Sequence, residues 1–474
     1  MKVEQIYTGC LAEAAYYIES NGEAAIIDPL RETRPYIERA ERNDAKIRYI
    51  FETHFHADFV SGHIDLGKKT GATIVFGPTA APGYEAYVAK DGEEFQLGNI
   101  KIRVLHTPGH TMESSCFLLI DEQGKENSIF TGDTLFIGDV GRPDLVQKVK
   151  AEITPQILAG HLFDSLRHKI MPLADEVIVY PGHGAGSACG KNMSRETTDT
   201  LGHQKKVNYA LRADMTKEEF IKEVTDGLVE PPQYFPFNVL MNLKGDMESI
   251  DVVIERGKKP LTAREFQTVW ESTEALVIDT RSKDAFAAEH VPGSIFIGLD
   301  DNFAPWAGTL IRDLKQPILF IADEGREEEV VVRLSRVGYD HTIGYLNNGI
   351  WAWKEAGYEI ATLEEMDAES FAALYESGTE EINLLDARRR SEFESEHLVG
   401  AVNFPLDFVN QHMAELDRNK KYFIHCAGGY RSVILSSILQ SRGFEKLVNI
   451  RGGYKALSQT GLKKTKYVEP TTML

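Results

Sequence analysis

Five short stretches carry side chains able to do more than pack. THFHADF supplies His54, His56 and Asp58, TPGHT supplies His110, TGDTLF supplies Asp133, and YPGHGAG supplies His183. Imidazole and carboxylate hold hard or borderline metal ions, so four such loops form one metal centre if the fold carries them to one place. Any one of these histidines alone reads as a hydrogen-bonded structural residue; together, beside their glycines, they read as ligands. The fifth stretch, HCAGGYRS, holds Cys426, Gly428, Gly429, Arg431 and Ser432 and runs directly into the apolar helical pattern VILSSILQ. A tight glycine loop turns backbone N–H groups inward, and a helix start adds partial positive charge. With Arg431 contributing a full charge, such surroundings favour a nucleophilic thiolate.

The elements that must position these groups are legible as short apolar runs. AAIIDP, IRYIFETH, ATIVFG, KIRVLHTPGH, SSCFLLI, SIFTGD and EVIVYPGH have strand length and close on glycine, proline, His or Asp. The candidate ligands therefore sit on loops at the C-terminal ends of strands. PPQYFPFN, from Pro231 to Asn238, breaks the pattern and reads as a boundary. Beyond it the chain repeats: LVIDTRSKDAFAAEHVPGSIFI is echoed by LLDARRRSEFESEHLVGAVNFPL, so that Asp279 and His290 recur as Asp386 and His397. A repeat this long is a duplicated domain, each copy a small α/β unit with a mainly parallel sheet. The expected division is residues 1–245, 256–361 and 364–474.

Bulk properties narrow the function. The chain has 474 residues, enough for several domains, and a formal net charge of −20, which repels nucleic acid in the absence of a strong basic face. The short cluster Arg388-Arg389-Arg390 reads as solvated surface. Four cysteines (Cys10, Cys116, Cys189, Cys426) are widely spaced without a CxxC pair, which argues against a disulfide framework and a cysteine zinc site and points to a reducing compartment. Cys10 and Cys116 lie within or next to apolar runs and are expected in the core. The N-terminus has no basic region ahead of an apolar core, and no run approaches the ~18 apolar residues of a membrane span. A soluble, cytoplasmic protein without a membrane partner is expected.

In their order and spacing, the His and Asp loops resemble the metallo-β-lactamase superfamily, which implies an αββα sandwich of two mixed sheets. Two-metal members would use His54, His56, His110 and a bridging Asp133 for one ion, and Asp58, the residue at Phe59, and His183 for the other. Phe59 coordinates nothing. In the persulfide dioxygenase branch, the resemblance implies one Fe(II) per chain on His54, His110 and Asp133, with His56, Asp58 and His183 as surrounding polar groups. Two histidines and one carboxylate with open positions suit non-haem iron and oxygen chemistry, whereas a hydrolase wants metal-bound hydroxide, commonly between two ions. Arg142, in GDVGRPD, matches a position near the thiol-carrier site of that branch and is expected to bind an anionic group; the alternative is a surface arginine. Cys189, six positions after His183, is either an accessible thiol that takes up sulfane sulfur at the pocket mouth or a buried, inert one.

HCAGGYRS, with Asp386, Arg388, Glu396, His397 and Gly400 upstream, resembles the active-site pattern of rhodaneses. That implies a catalytic Cys426, with Gly428, Gly429, Arg431 and Ser432 binding the transferred group. In the first copy Asp323 stands where Cys426 would, and Glu324 with Glu327-Glu328-Glu329 makes the loop acidic, so that copy is expected to be silent. Over nearly its full length the chain resembles bacterial persulfide dioxygenase–rhodanese fusion proteins. The implied partners are a low-molecular-weight persulfide, O₂, and sulfite or thiosulfate, and the family implies a homo-oligomer. Two rivals remain: a two-metal, glyoxalase-II-like thioester hydrolase fused to a sulfurtransferase, and a sulfur-relay module whose first domain is structural.

Overall fold

The computed structural model describes residues 1–145, 153–228 and 230–468. It divides into two compact units, the first running Met1–Ile250 and the second opening at Asp251.

The first unit is built on two six-stranded sheets. One runs in chain order through Lys2–Thr8, Glu13–Ser20, Glu23–Ile27, Lys46–Glu52, Thr73–Phe76 and Tyr87–Val88. The other is ordered Asp199–Thr200, Ile178–Pro181, Glu126–Gly132, Ser115–Ile120, Ile100–His106 and Glu94–Leu97. Strand alternation explains why these runs are apolar on both sides. Tyr16, Ile18, Ala25, Ile27 and Phe51 meet Ile102, Val104, Phe117, Leu119 and Phe130 between the sheets. Their neighbours Tyr17, Ala24, Ile26 and Ile50 face outward into a core shared with Tyr36, Ala40, Ile64 and Leu66 of the helices Arg34–Arg42 and His63–Thr70. On the far side Cys116, Leu118, Ile129 and Val179 pack on Ala159 and Leu162 of the helix Pro155–Ser165. The result is the expected αββα sandwich of mixed sheets. Cys116 is core as expected, whereas Cys10 is only half-buried.

Pro231–Asn238 does not end the first unit. Its second half opens the helix Phe235–Lys244, with Pro236 in the first turn, where its missing N–H costs nothing. Val239 and Leu243 of that helix pack on the outer core of the first sheet.

The second unit contains two five-stranded sheets of one topology. The first is ordered Pro260–Leu261, Thr342–Leu346, Ile318–Ile321, Leu276–Asp279, Ile295–Phe296, and the second Glu364–Met366, Leu447–Ile450, Tyr422–His425, Asn383–Asp386, Val402–Asn403. Every strand pair in both is parallel. Both copies are thus the parallel α/β units expected of the duplication. The helix Tyr430–Ser441 is buried from Ser432 through Leu439, more than one sheet face can achieve. Part of the cover comes from the first copy, where Phe296 N–H donates to Ser437 Oγ at 2.9 Å. Among the described residues, no helix is long and apolar enough to cross a membrane.

Candidate active sites

In the first unit, His54 follows Lys46–Glu52, His110 follows Ile100–His106, Asp133 follows Glu126–Gly132, and His183 follows Ile178–Pro181. All four loops meet at one end of the sandwich, and all four side chains are buried. Gly132 lets the Asp133 loop close on the His54 loop. Its φ is +47°, and a methyl group there would stand 2.5 Å from Thr53 Oγ1, so only glycine fits.

His54, His110 and Asp133 each offer a ligand atom within 4.8 Å of the others. The His110 and His54 Nε2 atoms lie 3.5 Å and 4.0 Å from Asp133 Oδ2. The opposite ring nitrogens fix these orientations. His110 Nδ1–H donates to the Arg142 carbonyl at 2.8 Å, and His183 Nδ1–H to the Ala12 carbonyl at 3.2 Å. Thr53 Oγ1 gives its proton to Asp28 Oδ2 and so accepts from His54 Nδ1 at 3.0 Å. Each Nε2 is thereby left as an acceptor facing the carboxylate, the arrangement a metal ligand needs. Burial, then the neighbouring His56, His110 and His183, pushes His54 well below the usual imidazole range.

His56 belongs to a different group. Its Nε2 lies 3.1 Å from Asp28 Oδ1 and 3.6 Å from Glu52 Oε2, and its ring is stacked on Phe59 with centroids 4.2 Å apart. Burial opposes its charge, but Asp28, Glu52 and Asp58 outweigh it and hold His56 at about 9. Asn242, on the helix Phe235–Lys244, pins this loop: its Nδ2 donates to the carbonyls of His56 and Phe59, and its Oδ1 accepts from Ser61 N–H.

Asp58 and His183 form a third group with Cys189. His183 Nε2 lies 3.4 Å from Asp58 Oδ2 and 3.5 Å from Asp133 Oδ1. Cys189 is 1% exposed, which corrects the reading of an accessible thiol: its glycine-flanked loop folds inward onto the polar cluster. Burial, then Asp58 and Asp133, raises its thiol well above the ordinary range. Arg142 is also corrected. Its guanidinium is buried and paired through both Nε and Nη2 with Asp144 at 2.7 Å, so its charge is already matched, while its carbonyl holds His110.

Asp28, Glu52 and Glu13 were not singled out in the sequence. The signal available was an acidic residue at or near the end of an apolar strand run, in AAIIDP and IRYIFETH. Glu13 is fully buried, paired in register with His183 through an isolated β-bridge, and neither of its carboxylate oxygens has a hydrogen-bond partner among the described residues. Burial, then Asp28 and Asp58, raises its carboxyl well above the usual range.

In the second unit, Cys426 follows the strand Tyr422–His425 and precedes the helix Tyr430–Ser441. Gly429 N–H donates to Cys426 Sγ at 3.1 Å, from a φ of +107° that glycine adopts freely. Ser432 Oγ–H returns to the Gly429 carbonyl at 3.1 Å. The Cys426 and Ala427 carbonyls accept from Tyr454 and Lys455 N–H, while Gly428 is exposed with open space beside it. Arg431 does not present a free charge: it forks onto Glu392 at 2.6 and 2.8 Å. Burial opposes this pair, but Arg431 holds the Glu392 carboxyl below its usual range. Arg388 is not surface either. It is 5% exposed, forks onto Asp386, and lies 3.9 Å over the Tyr454 ring. The neighbouring sequence hid this because only one arginine of three turns inward.

Residues 8–183 match the metallo-beta-lactamase superfamily, and residues 262–356 and 367–460 match the rhodanese-like domain. A hydroxyacylglutathione hydrolase of Haemophilus influenzae is 30% identical over 189 residues, covering 35% of this chain and 83% of that protein. A probable hydroxyacylglutathione hydrolase of Schizosaccharomyces pombe is 31% identical over 183 residues, covering 38% of this chain and 66% of that one. The chain spans 58% to 66% of the length of the first curated relatives it matches. A solved metallo-beta-lactamase structure from Staphylococcus aureus is 33% identical, covers 73% of this chain and 99% of its own, and superposes with a TM-score of 0.63.

Proposed function

Since the chain belongs to the metallo-β-lactamase superfamily and carries two rhodanese-like domains after that fold, we propose that it is a persulfide dioxygenase joined to a sulfurtransferase. The observation that carries this reading is the withdrawal of His56 onto Asp28 and Glu52 beneath Phe59, which leaves His54, His110 and Asp133 as a group of two histidines and one carboxylate. These residues fit a metal ion. They are buried, their donor set suits iron, and among the described residues neither Asp133 oxygen has a hydrogen-bond partner. Fe(II) bound there would supply an open-shell centre able to activate dioxygen toward sulfur, the four electrons coming from the sulfur itself.

The first reaction is RSSH + O₂ + H₂O → RSH + SO₃²⁻ + 2H⁺, in which the terminal sulfur loses four electrons and dioxygen gains them. Arg142, through its carbonyl, and Thr53, through its hydroxyl, hold the His110 and His54 rings in place. Asp58, His183 and Cys189 line the adjoining polar wall. In the second unit Cys426 takes sulfane sulfur from a further persulfide, Cys–S⁻ + RSSH → Cys–S–S⁻ + RSH. It then passes that sulfur to sulfite, Cys–S–S⁻ + SO₃²⁻ → Cys–S⁻ + S₂O₃²⁻. Gly429 N–H, aimed at the sulfur, stabilises the anionic thiolate.

The names of the relatives favour a second reading, hydrolysis of a glutathione thioester at the same centre. One pair of variants tests the choice. His110→Ala is expected to lose both iron and persulfide-dependent oxygen uptake, whereas Cys426→Ser keeps both and stops thiosulfate formation. Thioester hydrolysis that His110→Ala abolishes, with no oxygen uptake in the parent chain, would replace the dioxygenase reading.

A further inference from the structure

The geometry points to a composite anion site in the second unit: Lys283, from the copy that lacks a catalytic cysteine, supplies the cation that draws sulfite or thiosulfate to Cys426. This assignment rests on the sulfur-transfer reading of Cys426 for its physiological meaning. A methyl group on Gly429 would stand 3.8 Å from Lys283 Cε and 4.0 Å from its Cδ, so the lysine stem lies along the loop whose N–H holds the sulfur. Lys283 is 38% exposed at its side chain, against 83% for Arg390, its counterpart in the other copy, because the loop covers it.

The approach is fixed by packing. The Tyr430 hydroxyl, in the Cys426 loop, donates to the Gly298 carbonyl of the first copy at 3.0 Å, and the Tyr430 ring meets Phe296 edge-on at 5.6 Å. With Phe296 N–H bonded to Ser437, the Cys426 loop and helix are tied to the first copy at several points.

Lys283 would add a cation to those the Cys426 copy itself brings to the loop. Sulfite and thiosulfate are anions, and two arginines of the Cys426 copy are already matched, Arg431 by Glu392 and Arg388 by Asp386. Lys283 pairs with Asp284 at 2.9 Å, but that carboxylate is 78% exposed, and such surface pairs exchange readily with an incoming anion. Asp301 also feels the Lys283 charge, which offsets part of the effect of burial and of Asp300 on its carboxyl.

The test uses the full chain with Lys283→Gln and Lys283→Arg. In transfer from thiosulfate to cyanide, Lys283→Gln should raise the KM for thiosulfate by about 5- to 10-fold with kcat nearly unchanged, an effect that shrinks with added salt, while Lys283→Arg stays near the parent. A second readout needs no turnover: the rate of Cys426 alkylation by iodoacetate relative to neutral iodoacetamide, followed on the Cys426 peptide. That ratio should fall about 3-fold or more in Lys283→Gln and recover in Lys283→Arg. An unchanged ratio in Lys283→Gln would overturn the assignment. A parent chain that transfers no sulfur would overturn the proposed function instead, and the alkylation ratio would still decide the role of Lys283.

Discussion

The two rhodanese-like copies keep the same internal frame and differ where chemistry would occur. In one, Arg281 forks onto Asp279 and caps the Glu289 carbonyl at 2.8 Å; in the other, Arg388 forks onto Asp386 and caps the Glu396 carbonyl at 2.9 Å. His290 stacks on Phe286 at 3.9 Å, and His397 stacks on Phe393 at 3.6 Å. The loops then part. One closes on Cys426 with Gly429 N–H aimed at its sulfur, whereas the other has Asp323 in that place and Arg326 tied to Asp300 and Glu329. The buried fork and the stacked histidine, common to both copies, therefore serve the fold, and the copies differ in the loop that follows.

The largest expected effect removes the loop's one nucleophile: Cys426→Ser should lower thiosulfate formation by about 10³-fold or more, measured with sulfite and persulfide supplied, and leave the fold intact. Next come the forks. Asp279→Asn and Asp386→Asn each strand a largely buried guanidinium and should cost about 3 kcal/mol in denaturant unfolding of their own copy. Equal losses would show the frame to be common; a loss confined to Asp386→Asn would show that only the Cys426 copy depends on it.

A smaller difference is set by pH. Glu392 titrates below its ordinary value near 4.5, so the folded chain binds this proton more weakly than the unfolded one. Its contribution is complete above that value and disappears as pH falls through it toward the lower folded value. The first copy has Ala285 at the corresponding position and lacks this contribution, so hydrogen exchange near pH 4 should open the Cys426 loop first, by no more than about 1 kcal/mol for this partly buried pair. The smallest change is expected from Asp323→Cys. A thiol placed among Glu324, Glu327, Glu328 and Glu329 should transfer sulfur at less than about a hundredth of the Cys426 rate, because the loop repels anionic donors.

These copies were legible in the sequence because duplication aligns Asp279 with Asp386 and places an acid opposite Cys426. The candidate metal loops were equally legible, since each follows an apolar run whose end the fold must bring to one edge of a sheet. Burial of Cys189 was not, because a loop of glycine and small residues carries no periodicity to say which way it turns. The partners of Arg142 and Arg431 were hidden for another reason: Asp144 and Glu392 are ordinary acidic residues until packing sets them against a guanidinium. The helix carrying Asn242 was obscured by the prolines before it, yet its amide closes the His56 loop from far along the chain.

His56 pairs with Asp28, and His54, His110 and Asp133 remain together as the proposed metal group. Its most direct test is the metal content of anaerobically purified chain together with oxygen uptake on a low-molecular-weight persulfide. One iron per chain, with one O₂ consumed for each sulfite released, is the predicted result. Two zinc ions per chain, thioester hydrolysis and no persulfide-dependent oxygen uptake would contradict it.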